Sequence, residues 1–220
     1  MKILAIETAT EACSVALWLD GQWTERCEAT ARGHSEYILP MVEDVLSEGG
    51  IPLSACDVLA YGKGPGSFTG LRIGVGVAQG LAFGANLSVV GVSSLAALAA
   101  DAPAPSVLAA IDARMGQVYW ACYQREPSGV VRLVGAESVS VPDAIGVRRG
   151  HEWWGVGSGW DAYATRIDAA LGNNVVNWSR GRHPRAHATA ELGAVLVAEG
   201  LNGDPIHAAP YYIRNQVTRT

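Results

Sequence analysis

Lysine is almost missing from this sequence: Lys2 and Lys63 are the two it has. With 16 Lys+Arg against 21 Asp+Glu, the chain carries a formal net charge of −5. A protein whose main task is to grip nucleic acid presents a basic face, so a nucleic-acid substrate would be held by another chain. Long apolar runs are missing too. The most apolar stretch, 73–85, is bounded by Arg72 and Asn86, well short of the roughly 20 residues a membrane span needs. The opening MKILAIETAT lacks the apolar core of a secretory signal. Cysteine is sparse: Cys13, Cys27, Cys56 and Cys122 form no C-x-x-C pair, which argues against a zinc motif or a disulfide framework and leaves reduced thiols. No Ser-His-Asp or Cys-His arrangement can be assembled by spacing, and no segment is of low complexity. These absences point to a cytoplasmic globular protein that does not enter membranes.

What is present is apolar and ordered. Hydrophobic residues make up 49% of the 220 positions, enough to bury a sizeable core. Residues 3–6 form a short apolar run typical of a central strand, followed by a second strand over 13–19, the turn Asp20-Gly21 and an alternating third strand over 23–29. The period then lengthens: Ile38, Met41, Val42 and Val45 recur at helical spacing up to Gly49-Gly50. A strand over 57–62, a helix over about 70–84, a strand over 88–92 and a helix over 94–100 complete the first half. Further strands are expected over 130–139 and 153–156, and helices over 161–171 and 188–199.

After the linker Ala102-Pro103-Ala104-Pro105 the chain resembles its own beginning. VLAAID at 107–112 matches ILAIE at 3–7, each an apolar strand ending in a carboxylate, then a turn, then a second apolar strand. Recurrence at half the chain length suggests two related lobes, 1–103 and 104–220, with the C-terminal helix or tail free to return to the first.

Glu7 and Asp112, at the two strand ends, are candidates for a nucleotide site with Thr8 and Gly157. In two-lobed kinase-like and actin-like proteins such turns cradle phosphates, and the carboxylates hold a hydrated magnesium. That task calls for glycine, which lets backbone approach phosphate closely. The turn 8–12 has none, and Glu11 adds negative charge. Such a site is degenerate and binds weakly; the alternative is that both carboxylates only cap their turns.

A second constellation is KGPGSFTGLRIG at 63–74. Gly64, Pro65, Gly66 and Ser67 form a tight turn, Thr69 is placed to cap the helix, and Arg72 falls in the first helical turn, where the macrodipole disfavours a cation. An anionic partner group or a neighbouring carboxylate would answer that placement. The helix itself carries Gly70, Gly74, Gly76, Gly80 and Gly84, at roughly 1 kcal/mol each relative to alanine. Close backbone packing is the compensation that suggests itself, either within the chain or against a helix of another subunit; Leu71, Val75, Ala78 and Ala82 suit the side that covers the chain's own sheet. The expected partner surface is therefore Gly70, Gly74, Gly76 and Gly80, with the stripe Ile38, Met41, Val42 and Val45 on the preceding helix. His183, His187 and Glu191 have metal-ligand spacing, but Pro184 breaks the shared helical face, so no metal site is expected. Arg180, Arg182 and Arg185 form a local basic cluster.

The strings GPGSFTGLRIG, ILAIETATEACSVALW and VLAAIDARMGQVYWA, with the tail PYYIRNQV, resemble the TsaB family, also called YeaZ. The resemblance implies an α/β actin-like (ASKHA, ribonuclease H-like) fold of two lobes, each a mixed sheet flanked by helices. It implies no independent catalysis and no cofactor, with ATP bound at most weakly or at a shared interface. It implies a scaffold role beside the paralogue TsaD, which carries the active site for threonylcarbamoyladenosine synthesis next to the tRNA anticodon. The ATPase TsaE is a further partner, tRNA is met through the complex, and homodimers form in isolation. Glu7 departs from the family's usual Asp. The competing expectation is an enzyme, an actin-like ATPase or a metallopeptidase-like protein.

Overall fold

The computed structural model describes residues 1–29, 33–148 and 150–214. Within them, ten strands form two five-stranded sheets. The first contains β1 (Lys2–Glu7), β2 (Ala12–Leu19), β3 (Gln22–Ala29), β4 (Val58–Gly64) and β5 (Ser88–Ser93), in the order β3-β2-β1-β4-β5. The second contains β6 (Ser106–Asp112), β7 (Val118–Arg125), β8 (Val131–Ser140), β9 (Trp153–Val156) and β10 (Val175–Ser179), in the order β8-β7-β6-β9-β10. In both, the first strand is central, antiparallel to the second and parallel to the fourth. The repeated hairpins of the sequence thus open two sheets of identical topology, the mixed-sheet α/β architecture expected.

Contacts divide the described residues into two units: those within 1–97 and 184–210, and those within 98–183 and 211–214. The linker at 102–105 lies a few residues past the switch, because α3 (Ser94–Ala100) begins in the first unit and ends in the second. The tail string loses Asn215, Gln216 and Val217, which lie outside the described residues.

In the first unit, side chains alternate across the sheet as a strand requires. Leu4 and Ile6 face α1 (His34–Gly49) and α2 (Phe68–Ala85), with Val15, Leu17, Leu59 and Tyr61 in the same cluster. Ile3 and Ala5 face the other way, onto α5 (Ala186–Ala198). That second layer is built from small residues. Ala5, Ala16 and Ala60 meet Ala186 and Ala190, and a Cβ on Gly193 would lie 3.0 Å from that of Ala60.

The N-terminus of α5 is capped by the sheet it covers. Its first free amides, of Ala186 and His187, donate to Ser14 Oγ (3.0 Å) and Glu25 Oε1 (3.1 Å). Glu25 also accepts from Arg185 and lies 3.2 Å from His187 Nδ1, whose ring stacks on Trp23. The His183–His187–Glu191 spacing therefore has a structural outlet. His187 serves the cap, and Pro184 precedes the helix.

In the second unit, α4 (Ser158–Leu171) packs on the sheet through Trp160 and Ile167. The Trp160 indole lies over Gly155 and donates to the Leu108 carbonyl at 3.1 Å. Arg125 closes the end of α3, its guanidinium donating to the carbonyls of Ala100 and Ala102 at 2.9 Å each.

Glu25 sets one acid response. Burial pushes its carboxyl up, but the bonds from His187 and Arg185 outweigh that and hold it below its usual 4.5. A depressed carboxylate contributes stability above its unfolded value and loses it as pH falls through the folded one. Glu25→Ala should cost roughly 2–4 kcal/mol at pH 7, less than a fully buried pair because the Arg185 side chain is 38% exposed. Glu25→Gln should flatten the loss of stability below about pH 4.5. Urea melts from pH 3 to 7 check both; an unchanged acid limb in Glu25→Gln would show that Glu25 does not hold α5.

Candidate functional site

Two of the sequence's constellations meet in the first unit, at the turn after β1. Ser67 donates its amide to the Ala9 carbonyl at 2.7 Å, and Thr8 Oγ1 donates to the Gly70 carbonyl at 2.9 Å. Three glycines make this approach possible. A Cβ at Gly66 would overlap the Ala9 carbonyl oxygen, one at Gly70 the Thr8 carbonyl oxygen, and one at Gly74 the Thr8 hydroxyl. The turn 8–12 needs no glycine of its own, because the space comes from the opposite side of the contact.

Gly64-Pro65 is a cis peptide, with Gly64 at φ 102°. Ser67, not Thr69, caps α2: its Oγ accepts from the Gly70 amide at 3.3 Å. The helix starts two residues earlier than its glycines suggest, which puts Thr69 already inside the first turn. The same shift moves Arg72 past the first turn, away from the end where the dipole disfavours a cation, and its guanidinium lies 3.8 Å from the Phe68 ring centroid, a cation–π contact.

Gly70 and Gly74 therefore belong to internal packing, not to an outer surface. The same correction applies to Ile38, Met41, Val42 and Val45, which are buried in the unit's own core. An apolar stripe at helical spacing marks the face a helix buries, and here the sheet takes it. Leu71, Val75, Ala78 and Ala82 complete the inner side of α2.

The other row, Gly76, Gly80 and Gly84, faces the opposite way. Two residues separate Gly74 from Gly76, about 200° round a helix, and a Cβ at any of the three outer glycines meets nothing within 4 Å. Beside them Phe83 is 78% exposed, and α1 shows Tyr37 and Leu39 to solvent. Along its whole length α2 has one charged residue, Arg72. This uncharged outer face, with glycines that no packing among the described residues explains, is the candidate site.

The nucleotide-site candidates are placed differently. Glu7 is fully buried: Ala9 N–H donates to Oε1 at 2.8 Å and Ser94 Oγ to Oε2 at 2.9 Å, and Gly62 on β4 presses against the carboxyl. Thr8 is likewise buried, its hydroxyl engaged by α2. Neither fits a ligand to hydrated magnesium, because the carboxyl has no face open to the ion's waters. In the second unit Asp112 accepts from the Arg114 amide at 2.9 Å and its guanidinium at 3.2 Å. Gly157 sits at φ 108°, where a Cβ would overlap the Ala110 carbonyl oxygen. Both carboxylates thus bond the amide two residues on, the turn-capping geometry. Among the described residues, no group of three His, Cys, Asp or Glu side chains is placed to hold a metal.

Burial pushes the Glu7 carboxyl from 4.5 up to about 7, against the opposing hydrogen bonds from Ala9, Ser94, Thr8 and Thr189. The sign is opposite to that of Glu25. The folded state holds the proton more tightly, so stability falls as pH rises from about 4.5 to about 7, by on the order of 3 kcal/mol. Glu7→Gln keeps an acceptor for Ala9 and carries no charge. It should remove this decline and be more stable than the parent at pH 8. Melts across pH 5–8 check it, and a parallel decline in Glu7→Gln would assign the proton elsewhere.

Comparison with known proteins places this geometry. The model of the family "TsaD: tRNA N6-adenosine threonylcarbamoyltransferase" matches residues 27–202. The chain is 46% identical to the tRNA threonylcarbamoyladenosine biosynthesis protein TsaB of Escherichia coli (strain K12), over 99% of the chain and 96% of that protein. It is 39% identical to the protein of the same name from Haemophilus influenzae, over 99% and 95%. The structure of YeaZ from Pseudomonas aeruginosa superposes with a TM-score of 0.89 at 42% identity, covering 96% of this chain and 99% of that one. Agreement of sequence and fold along the full length shows that this chain belongs to the TsaB (YeaZ) family.

Proposed function

We propose that this chain is a partner subunit, without a reaction of its own, in the synthesis of threonylcarbamoyladenosine next to the anticodon of tRNA. The outer face of α2 carries the reading. Three glycines that weaken the helix by roughly 3 kcal/mol relative to alanine face open space beside an exposed Phe83. A neighbouring helix whose backbone comes close would supply the missing compensation. The occupant in this reading is the catalytic paralogue TsaD. Its kinship supports the pairing, because a chain of the same fold presents the same pair of helices and packs them against Tyr37, Leu39, Gly76, Gly80 and Phe83. A second copy of this chain would do so when the paralogue is absent.

The carboxylates argue in the same direction. Glu7 is sealed and Asp112 is engaged by Arg114, which supports a subunit that neither hydrolyses ATP nor needs a metal or cofactor. The ATPase TsaE would then act on the assembled pair, and tRNA would be held mainly by the paralogue. No described helix is long and apolar enough to cross a membrane, and the reading places the chain in the cytoplasm.

A side chain at Gly80 separates folding from assembly. Because a Cβ there meets nothing, Gly80→Ala should raise the stability of the isolated chain by about 1 kcal/mol. Gly80→Leu should fold at least as well as the parent yet bind the paralogue at least about tenfold more weakly, a loss of about 1.4 kcal/mol. Calorimetric titration of the two purified chains measures it. Unchanged affinity in a folded Gly80→Leu variant would remove this face from the interface, and phosphate release by the isolated chain that is lost in Asp112→Ala would favour an ATPase instead.

A further inference from the structure

The turn after β10 combines three features that the subunit reading leaves unused. The first is charge. Between Asp168 and Glu191 the sequence has no acidic residue, and Arg180 and Arg182 lie within that stretch. Arg26, Arg114, Arg132, Arg166 and Arg185 each face a carboxylate. Arg180 and Arg182 are exposed and make no ion pair or hydrogen bond among the described residues.

The second feature is an aromatic column. The Arg180 guanidinium lies 5.0 Å from the Trp178 ring centroid. Trp178 stacks at 6.2 Å on Trp160, which is fully buried and fixed by its bond to the Leu108 carbonyl. The third is a pinned backbone. Gly181, at φ 61°, donates its amide to both oxygens of Asp161, at 3.1 and 3.3 Å. Asp161 is a carboxylate at this turn, and it is committed to the backbone. Both arginines are therefore held outward on either side of a fixed glycine, and one is stacked on a ring rooted in the core.

We propose that this turn binds the phosphodiester backbone of RNA directly. A stacked guanidinium keeps its planar donor edge in place, suited to phosphate oxygens or a base plane, and a half-buried tryptophan beside it is the aromatic partner that RNA-binding surfaces use. A pre-organised turn loses little entropy on binding. The net charge of −5 opposes RNA elsewhere on the chain, so the contact is local and weak alone and adds to the grip of a larger assembly. The tRNA reading supplies the choice of RNA over an acidic protein segment.

The test is a titration of the isotope-labelled full chain with unfractionated tRNA, followed by NMR at 50 mM NaCl. The indole N–H of Trp178 and the amides of Gly181 and Arg182 should move most. Raising the salt to 200 mM should weaken the apparent affinity about tenfold, the slope expected for two phosphate contacts. An Arg180→Ala/Arg182→Ala variant should lose these shifts while its other resonances stay in place. Arg180→Lys, with its charge kept and its stacking plane lost, should retain part of them. Shifts confined to other surfaces, or none, would overturn the proposal. Equal shifts with polyglutamate would overturn it in favour of an acidic protein segment. Failure here with paralogue binding intact removes this inference alone; loss of paralogue binding with these shifts intact removes the subunit reading alone.

Discussion

The contact between the turn Thr8-Ala9 and the glycine row Gly66, Gly70 and Gly74 fixes the rest of the first unit. It joins the end of the central strand to the start of α2 by two backbone-directed hydrogen bonds and by the removal of three side chains. Once that row is pressed inward, helical geometry settles what faces outward. The second row, Gly76, Gly80 and Gly84, is turned to the opposite side and has no neighbour among the described residues. The helix and the turn before it thus carry two glycine rows with different causes. The inner row permits a fold, and the outer row has a cost that the folded chain does not recover.

Two buried carboxylates organise what surrounds this contact, with opposite dependence on pH. Glu25 is ionised and faces two basic side chains, and it caps a helix that the chain contributes only after completing the second sheet. Glu7 lies under Gly62 and is driven toward its neutral form by burial, while Ser94 at the start of α3 and Thr189 on α5 bond to it. The second unit repeats the topology without repeating this chemistry. Asp112 stands where Glu7 does, but it is partly exposed and paired with an arginine. The two sheets share their strand order, and the two strand-end acids do different structural work.

Much of this was legible in the residues. The apolar runs at 3–6 and 107–112, each ending in an acid and followed by a second apolar strand, announce two sheets. The string GPGSFTGLRIG announces a tight turn running into a helix. The spacing of four among glycines is visible too, but periodicity does not say which row meets the chain's own backbone; that depends on Thr8, some 60 positions away. Likewise Ile38, Met41, Val42 and Val45 form the stripe that any amphipathic helix shows, and the residues that α1 exposes, Tyr37 and Leu39, follow from the register of that burial. Thr69 and Ser67 are equally good caps on paper. β10 escaped because a short edge strand with half its side chains in solvent has no strong alternation. The cap that Glu25 places on α5 is invisible to local reading, since its parts are 160 residues apart.

In the proposed reading, the outer row of α2 exists to meet another chain of the same fold. Hydrogen exchange of this chain, alone and mixed with the TsaD protein proposed above as its partner, is the measurement that bears on it. Slowed exchange is expected in α2 and in the exposed turns of α1 on mixing, with the sheet amides of the second unit unchanged. Protection that leaves α2 untouched and appears on the second unit alone would contradict it.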